Sequence, residues 1–323
     1  MGPGYIPWVS VDFAPILPLA LQKCEHLYFE GVNELWTIGS LHQLSHFSTV
    51  TELSLYRFAT SVPELCAFIS TFPNLERCII RSFRDLGSGG VTFDDCSYLP
   101  GPRLKLLHIK SYHFPLASDD PFEQGFLEWV LGTESRYTLR DIAITAQNSN
   151  IEAVGDLLRV VGPQLEHLEI ICQGLGSSRE SRDDESEFFA APQSLLVDIS
   201  FGLGIHNHLD LTRLTELRSL RLQYPTYIMI HALVSTITSP FLHTLSFQIR
   251  LRSTYNIVSG KHQSIAQLFG QKKLKDRLKL VRFDYESEHD AHMVQKLFEI
   301  TYDDFLGPGV LQVNQVEGDM PDI

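Results

Sequence analysis

The stretch Leu214-Thr-Glu-Leu217-Arg-Ser-Leu220-Arg-Leu222 contains the phrase that decides the fold. Its last six residues follow the pattern apolar-x-x-apolar-x-apolar, with leucine at positions 217, 220 and 222. The final alternation has a period of two, which indicates a β-strand with one buried face. Leu217, three positions before Leu220, adds a further residue that we expect to be buried where the strand begins.

The same phrase occurs ten times between residues 24 and 285. Steps between copies range from 21 residues, between Ile199 and Leu220, to 36 residues, between Leu245 and Val281. Such steps leave room for one strand, one helix and two turns, so the chain reads as a repeat protein. The central apolar residues of the ten copies are Leu27, Leu53, Cys78, Leu107, Ile142, Leu168, Ile199, Leu220, Leu245 and Val281.

The spacers between the copies carry helix signals. Ser61-Val-Pro-Glu64 has the N-cap hydroxyl, early proline and reciprocal glutamate of a capping box. Asp120-Pro121 and Ser149-Asn150 precede two further amphipathic segments, and proline closes several spacers because it cannot continue a helix. Further helices are predicted at 226–238, 261–270 and 288–300.

Polar side chains alternate with the buried positions, as Arg221 and Gln223 do beside Leu222. A sheet covered on both faces would instead read as nearly continuous apolar runs. The sequence therefore predicts an α/β fold, an irregular leucine-rich-repeat solenoid or horseshoe. Its parallel sheet forms the concave face and its helices form the convex face.

The repeats imply one domain over residues 1–323, with about ten repeats over 24–285. Residues 286–323 are predicted to form a C-terminal capping segment. The polar acidic run within 176–189 has no apolar period, so it is predicted to be a flexible insertion.

Composition limits the classes of partner. The chain has 26 basic and 39 acidic side chains, a net charge of −13, which argues against broad binding to nucleic acid or anionic membranes. No apolar run approaches the ~20 residues of a membrane helix. The five cysteines show no C-x-x-C spacing, which favours reduced thiols and a cytoplasmic or nuclear location.

The phrases PNLERCII (73–80), PRLKLLHI (102–109), PQLEHLEI (163–170) and LTELRSLRL (214–222) resemble the irregular leucine-rich repeats of the large fungal F-box protein family. In that family the repeats recruit substrates, and an N-terminal F-box docks on the Skp1-type adaptor of a cullin ubiquitin ligase. The resemblance thus implies a substrate receptor, with adaptor and cullin as partners if an F-box lies upstream. The segment 62–69 echoes an F-box start but reads as a spacer helix between two strand phrases.

Sites of chemistry are harder to find. Gly260-Lys261 lacks the earlier glycine of a phosphate-binding loop, and no G-x-S-x-G occurs. Glu286, Glu288, His289 and His292 have metal-like spacing, but a solvated helix start explains them better. We therefore expect no cofactor, no metal and no catalysis. A free-standing scaffold or inhibitor remains the main alternative, and an α/β enzyme with a loop-built site a remote one.

The leading hypothesis is a protein-interaction module that binds a protein substrate on its concave sheet. Tyrosine and arginine are the residue types that most often dominate such interfaces. The predicted contact residues are Tyr56, Arg81, His108, Lys110, Arg221, Gln223 and Arg282.

Overall fold

A computed structural model describes residues 23–30, 48–57, 59–85, 101–110, 122–147, 150–172, 208–251, 257, 260–287 and 289–316. The predicted insertion at 176–189 lies outside these residues. The chain divides into two compact units, Met1–Ile142 and Ala143–Ile323. No helix in the described part of the chain has both the length and the apolar composition needed to cross a membrane.

The first unit alternates short strands with helices. Its described elements are β1 (His26–Glu30), β2 (Glu52–Tyr56), β3 (Ala59–Thr60), α1 (Val62–Ser70), β4 (Arg77–Arg81), β5 (Arg84–Asp85), β6 (Leu106–Lys110), α2 (Phe122–Gly132) and α3 (Ser135–Thr138). Strands β1, β2, β4 and β6 pair in that order, and every pairing is parallel. The two-residue strands β3 and β5 form a separate parallel pair.

The second unit continues the same alternation. Its described elements are β7 (Asp141–Ala146, from Ala143 onward), α4 (Ile151–Val161), β8 (His167–Cys172), β9 (Ser219–Gln223), α5 (Tyr227–Thr236), β10 (Thr244–Arg250), α6 (Gly260–Phe269), α7 (Lys272–Lys275), β11 (Leu280–Glu286), α8 (Ala291–Tyr302) and β12 (Leu311–Gln315). Strands β7 to β12 lie in chain order, and the pairings from β8 to β12 are parallel. The α/β class with a parallel sheet is thus confirmed.

The repeat phrase fixes the register of the strands. In the first unit Leu27, Leu53, Cys78 and Leu107 are successive Cα partners across the sheet. In the second unit the central apolar residues of β8, β9, β10 and β11 are partners in the same way. A one-residue slip would turn each apolar residue to the wrong face, so the pattern selects a single register.

The described residues add two facts about the repeats. The copy around Ile199 lies outside the described residues, and β8 pairs directly with β9. Within the predicted capping segment 286–323, the described residues form α8 and a further strand, β12, in which Leu311 pairs with Val281. Leu311 and Val313 match the last two apolar positions of the phrase, although Pro308 occupies the first.

The helix predictions hold within one or two turns. Helix α1 begins after Ser61, whose hydroxyl accepts from the Glu64 amide while the Glu64 carboxylate accepts from the Ser61 amide, as a capping box requires. The Asp290 side chain caps α8, so that helix starts at Ala291 rather than at residue 288. Asp120, Pro121 and Ser149 lie outside the described residues.

The helices cover one face of each sheet. Phe29 of β1 packs edge-on against Phe68 of α1, with ring centroids 5.6 Å apart. In the second unit Phe283 of β11 lies 4.8 Å from Phe298 and 5.0 Å from Tyr302 of α8, measured between ring centroids. Alternate strand residues therefore face a helix-covered core, and the intervening residues face outward.

A buried histidine stands within the aromatic core of the second unit. The His262 side chain is fully buried, and its Nδ1 lies 2.6 Å from the Tyr302 hydroxyl. Its Nε2 has no hydrogen-bond partner. Burial lowers the pKa of His262 to about 4, so the imidazole is neutral at physiological pH.

Candidate binding surface

The outward-facing strand residues give each unit an open sheet face over part of its width. In the first unit Tyr28, Arg77 and Arg81 are exposed at outward positions of β1 and β4. In the second unit the face is closed at β7, where the outward residues Ala143 and Thr145 are fully buried. The predicted open face is thus correct for most strands and wrong for β7.

Ion pairs occupy the strand starts of the first unit. The Glu52 carboxylate lies 2.9 Å from Nε of Arg77 on the neighbouring strand and 3.4 Å from Nδ1 of His26 on the other side. On β6, the strand after β4 in the sheet, Nε2 of His108 lies 2.9 Å from Oδ1 of Asp141. The predicted contact residue His108 is therefore a half-buried member of a pair.

The strand ends of the same unit carry a different set of side chains. Tyr56, Arg81 and Lys110 are successive Cα partners across β2, β4 and β6. Arg57 follows Tyr56 and places its guanidinium carbon 5.2 Å from the centroid of the Tyr56 ring. On β1 the Cα partner of Tyr56 is Glu30, and Tyr28, two residues earlier on the same strand, is 61% exposed.

An unusual backbone conformation recurs just after the strands. Arg57, Ser82 and Tyr224 have φ values of 51°, 54° and 54°, in the left-handed region that non-glycine residues rarely adopt. Each donates its backbone N–H to a carbonyl of the next strand: Arg57 to Arg81 and Ser82 to Lys110, both at 3.0 Å, and Tyr224 to Gln248 at 2.7 Å. This turn extends the ladder by one bond and brings the Arg57 and Tyr224 side chains to the edge of the open face.

A hydrogen-bonded cluster centred on Glu286 occupies the strand ends of the second unit. Oε1 of Glu286 accepts from the Tyr224 hydroxyl at 2.7 Å and from the Gln248 amide at 3.1 Å. Oε2 accepts from Nε of Arg250 at 2.9 Å, and the Arg250 guanidinium lies 4.7 Å from the Tyr224 ring centroid. Both carboxylate oxygens are thereby held in fixed positions.

Contacts within this cluster shift the pKa values of Tyr224 and Glu286. Burial and the Glu286 carboxylate raise the pKa of Tyr224 to about 12. Partial burial alone would raise the pKa of Glu286, but the hydrogen bonds that its carboxylate accepts outweigh burial and keep that pKa below its ordinary value. At neutral pH the cluster therefore contains an ionised Glu286, a neutral Tyr224 and a cationic Arg250.

The other predicted residues of the second unit are engaged in pairs. Nε of Arg221 lies 3.6 Å from Oε1 of Glu169, and Nε of Arg282 lies 2.7 Å from Oδ1 of Asp284. Gln223 donates to the Glu169 carboxylate and is only 7% exposed. Gln223 is therefore nearly buried, because its amide binds a neighbouring side chain, and its role as a partner contact stays a prediction.

Of the seven predicted residues, the structure brings Tyr56, Arg81 and Lys110 together at one sheet edge, with His108 one row away. Arg221 and Gln223 share the Glu169 carboxylate, while Arg282 lies beside Asp284. Sequence reasoning missed the contributions of Arg57, Tyr224 and Glu286. A usable signal was their place at or just after a strand end, where the turn presents side chains beside the open face.

The metal-like spacing of Glu286, Glu288, His289 and His292 lies only partly within the described residues. Within the described residues no group of three His, Cys, Asp or Glu side chains is placed to hold a metal ion. Glu288 lies outside those residues, and Glu286 is committed to its three hydrogen-bond donors.

Comparison with models of known protein families gives no match for this chain. A search of the curated proteins gives none either.

Proposed function

We propose that the chain is a leucine-rich-repeat protein-interaction module that binds a protein partner on the open face of its sheet. The observation that carries this proposal is the pairing of repeat positions. The same phrase position falls on the same sheet row in successive strands, so the repeats present one outward side-chain set per strand. Repeat proteins use such extended surfaces for recognition.

The composition of the open face supports recognition of a protein rather than catalysis. Tyrosine and arginine, the residue types that dominate interface hot spots, stand at several strand ends, including Tyr56, Arg81 and Arg250. Several of these side chains are already held by neighbours, as Arg250 is by Glu286. Side chains that are fixed before binding lose less conformational entropy when a partner arrives.

A more specific form of the proposal follows from the family resemblance alone. The repeats would then be the substrate-recognition part of an F-box-type ubiquitin ligase receptor in the cytoplasm or nucleus. A Skp1-type adaptor and a cullin would be its further partners. The alternative is a free-standing scaffold or inhibitor with no link to ubiquitin.

The test is co-purification from the cells that make the protein, with partners identified by mass spectrometry. The open-face variant is R81A/K110A/R221A, which removes three cations from outward strand positions. Its matched control is K272A/K273A/K296A, which removes the same charge from exposed positions on α7 and α8. We expect the first variant to lose the protein partner and the control to keep it.

Each outcome has a distinct meaning. A partner that binds both variants as well as the unchanged chain contradicts the assignment of the open face. Adaptor and cullin beside the partner support the ubiquitin-ligase form, and a partner without them supports the scaffold. Thermal melting of both variants checks the fold, because losing an exposed ion pair costs only about 0–1 kcal/mol.

A further inference from the structure

Resting on the proposed function, we propose that the strand ends of the first unit bind an acidic, extended segment of the partner protein. The residues involved form a Tyr–Arg patch, defined as Tyr28, Tyr56, Arg57, Arg81 and Lys110. The partner segment would carry carboxylates at alternating positions of a peptide in extended conformation.

The arginines of the Tyr–Arg patch differ in their charge environment from the other outward arginines. Outward arginines elsewhere are paired with carboxylates: Arg77 with Glu52, Arg221 with Glu169, Arg250 with Glu286 and Arg282 with Asp284. Among the side chains that the structure describes, which do not include that of Asp85, no carboxylate lies within 4.0 Å of Arg57 or Arg81, and both arginines are exposed. In a chain of net charge −13, two adjacent unpaired arginines mark a local site for an external anion.

Two tyrosines provide an aromatic surface beside these cations. Tyr28 is 61% exposed, and its hydroxyl donates to the Glu30 carboxylate at 3.3 Å. The Tyr56 ring carries the Arg57 guanidinium, which orients that cation without neutralising it. An exposed tyrosine beside an arginine offers both an apolar surface and a positive charge. A peptide can contact both, whereas a free anion contacts only the charge.

The spacing of the strand-end residues matches that of an extended peptide. Because neighbouring strands lie about 4.8 Å apart, the row from Tyr56 through Arg81 to Lys110 spans roughly 10 Å. Alternate side chains of an extended peptide lie about 6.8 Å apart on one side. Acidic residues at alternate positions thus fall within reach of the long cationic side chains of the row.

The surroundings favour a peptide over nucleic acid. Glu30, the Cα partner of Tyr56 on β1, borders the patch on one side, and Glu52 lies at the start of β2, so the cationic region is narrow. A nucleic acid presents continuous phosphates, which the acidic remainder of this chain repels over a longer distance. Arg81 and Lys110 lie on the other side of Tyr56 from Glu30, so a short acidic segment can meet these cations without covering that carboxylate.

The experiment measures fluorescence anisotropy of labelled peptides with the full chain. The probe peptide has four glutamates that alternate with serine, and the control peptide has glutamine in their place. We expect the glutamate peptide to bind and the glutamine peptide not to bind, with affinity falling as salt rises from 0.05 to 0.5 M. Arg81→Ala and Arg57→Ala should each weaken binding by about 3- to 5-fold.

The matched control variant is Arg103→Ala, because Arg103 is also exposed in the first unit but precedes β6 instead of lying in the patch. It should leave the peptide affinity within about 1.5-fold of the unchanged chain. Arg81→Lys keeps the charge and should retain most of the affinity. An equal loss with Arg103→Ala would overturn the assignment, because net charge alone would then explain binding.

Two further results would also overturn the proposal. One is equal binding, or no binding, of both peptides. The other is an oligothymidine of matched charge that displaces the glutamate peptide and depends on Arg57 and Arg81, which would make the patch a nucleic-acid site. If the peptide fails while R81A/K110A/R221A still loses its cellular partner, the open-face function stands and only the acidic-peptide chemistry is wrong.

Discussion

The buried histidine of the second unit predicts a specific loss of stability in acid. His262 has a pKa of about 4 in the folded chain and about 6.5 when exposed in the unfolded chain. The unfolded state therefore binds more protons than the folded state between these pH values. The contribution of His262 to the free energy of unfolding is fully present above pH 6.5 and falls as the pH falls toward 4. At pH 5 the linkage relation gives a loss of about 2 kcal/mol from this residue alone.

Other histidines and carboxylates also titrate, so the prediction is tested by difference. The variant His262→Leu/Tyr302→Phe removes both partners of the buried hydrogen bond and the unpartnered Nε2 together. Replacing both partners by apolar groups of similar size is nearly neutral, whereas His262→Leu alone strands the Tyr302 hydroxyl at a cost of about 1–3 kcal/mol. We expect the double variant to match the unchanged chain near pH 8.

The measurement is urea unfolding followed by far-UV circular dichroism at pH 8, 7, 6 and 5. The free energy of unfolding of the double variant should fall by about 2 kcal/mol less than that of the unchanged chain between pH 8 and 5. Equal slopes in urea are needed so that the two proteins can be compared. Parallel pH curves for the two proteins would refute the assignment of a neutral, buried His262.

Three further predictions concern stability and reactivity. Ser61→Ala removes the capping box of α1 and should cost about 1 kcal/mol in urea unfolding; an unchanged midpoint would contradict this. Burial raises the pKa of the Cys78 and Cys172 thiols to about 12, so peptide mapping should find both unalkylated by iodoacetamide until urea is added; rapid native labelling would count against it. Gly155→Ala places a Cβ 2.2 Å from a backbone carbonyl oxygen and should destabilise by about 1–3 kcal/mol, unlike Gly132→Ala, whose Cβ meets nothing within 4 Å; equal effects would exclude the close contact.

Local signals explain why much of the fold could be predicted. The period-two alternation around Leu53 and Leu220 sets which side chains face the core. This alternation is a property of each strand's own residues and does not depend on other segments. The capping box at Ser61 likewise involves residues three apart. Such features are read correctly because no distant segment is required to form them.

The candidate site was only partly predictable for the opposite reason. Whether Gln223 is exposed depends on Glu169, 54 residues away, whose carboxylate captures its amide. Whether an arginine is available to a ligand depends in the same way on the neighbouring strand, which offers Arg77 a carboxylate and offers Arg81 none. Alternation alone assigns all these side chains to the same outward face.

The sequence by itself determined the repeat, the register row through Leu27, Leu53, Cys78 and Leu107, and the helices between the strands, because each depends on short-range periodicity. Only the tertiary structure decided which segments take the places in the sheet. It pairs β8 directly with β9 and adds β12 from the C-terminal segment, which lacks the first apolar residue of the phrase. A segment becomes a strand of the sheet when it forms backbone hydrogen bonds and buries apolar area with the neighbouring strands. Those neighbouring strands come from elsewhere in the chain, so the segment's own residues do not decide its place.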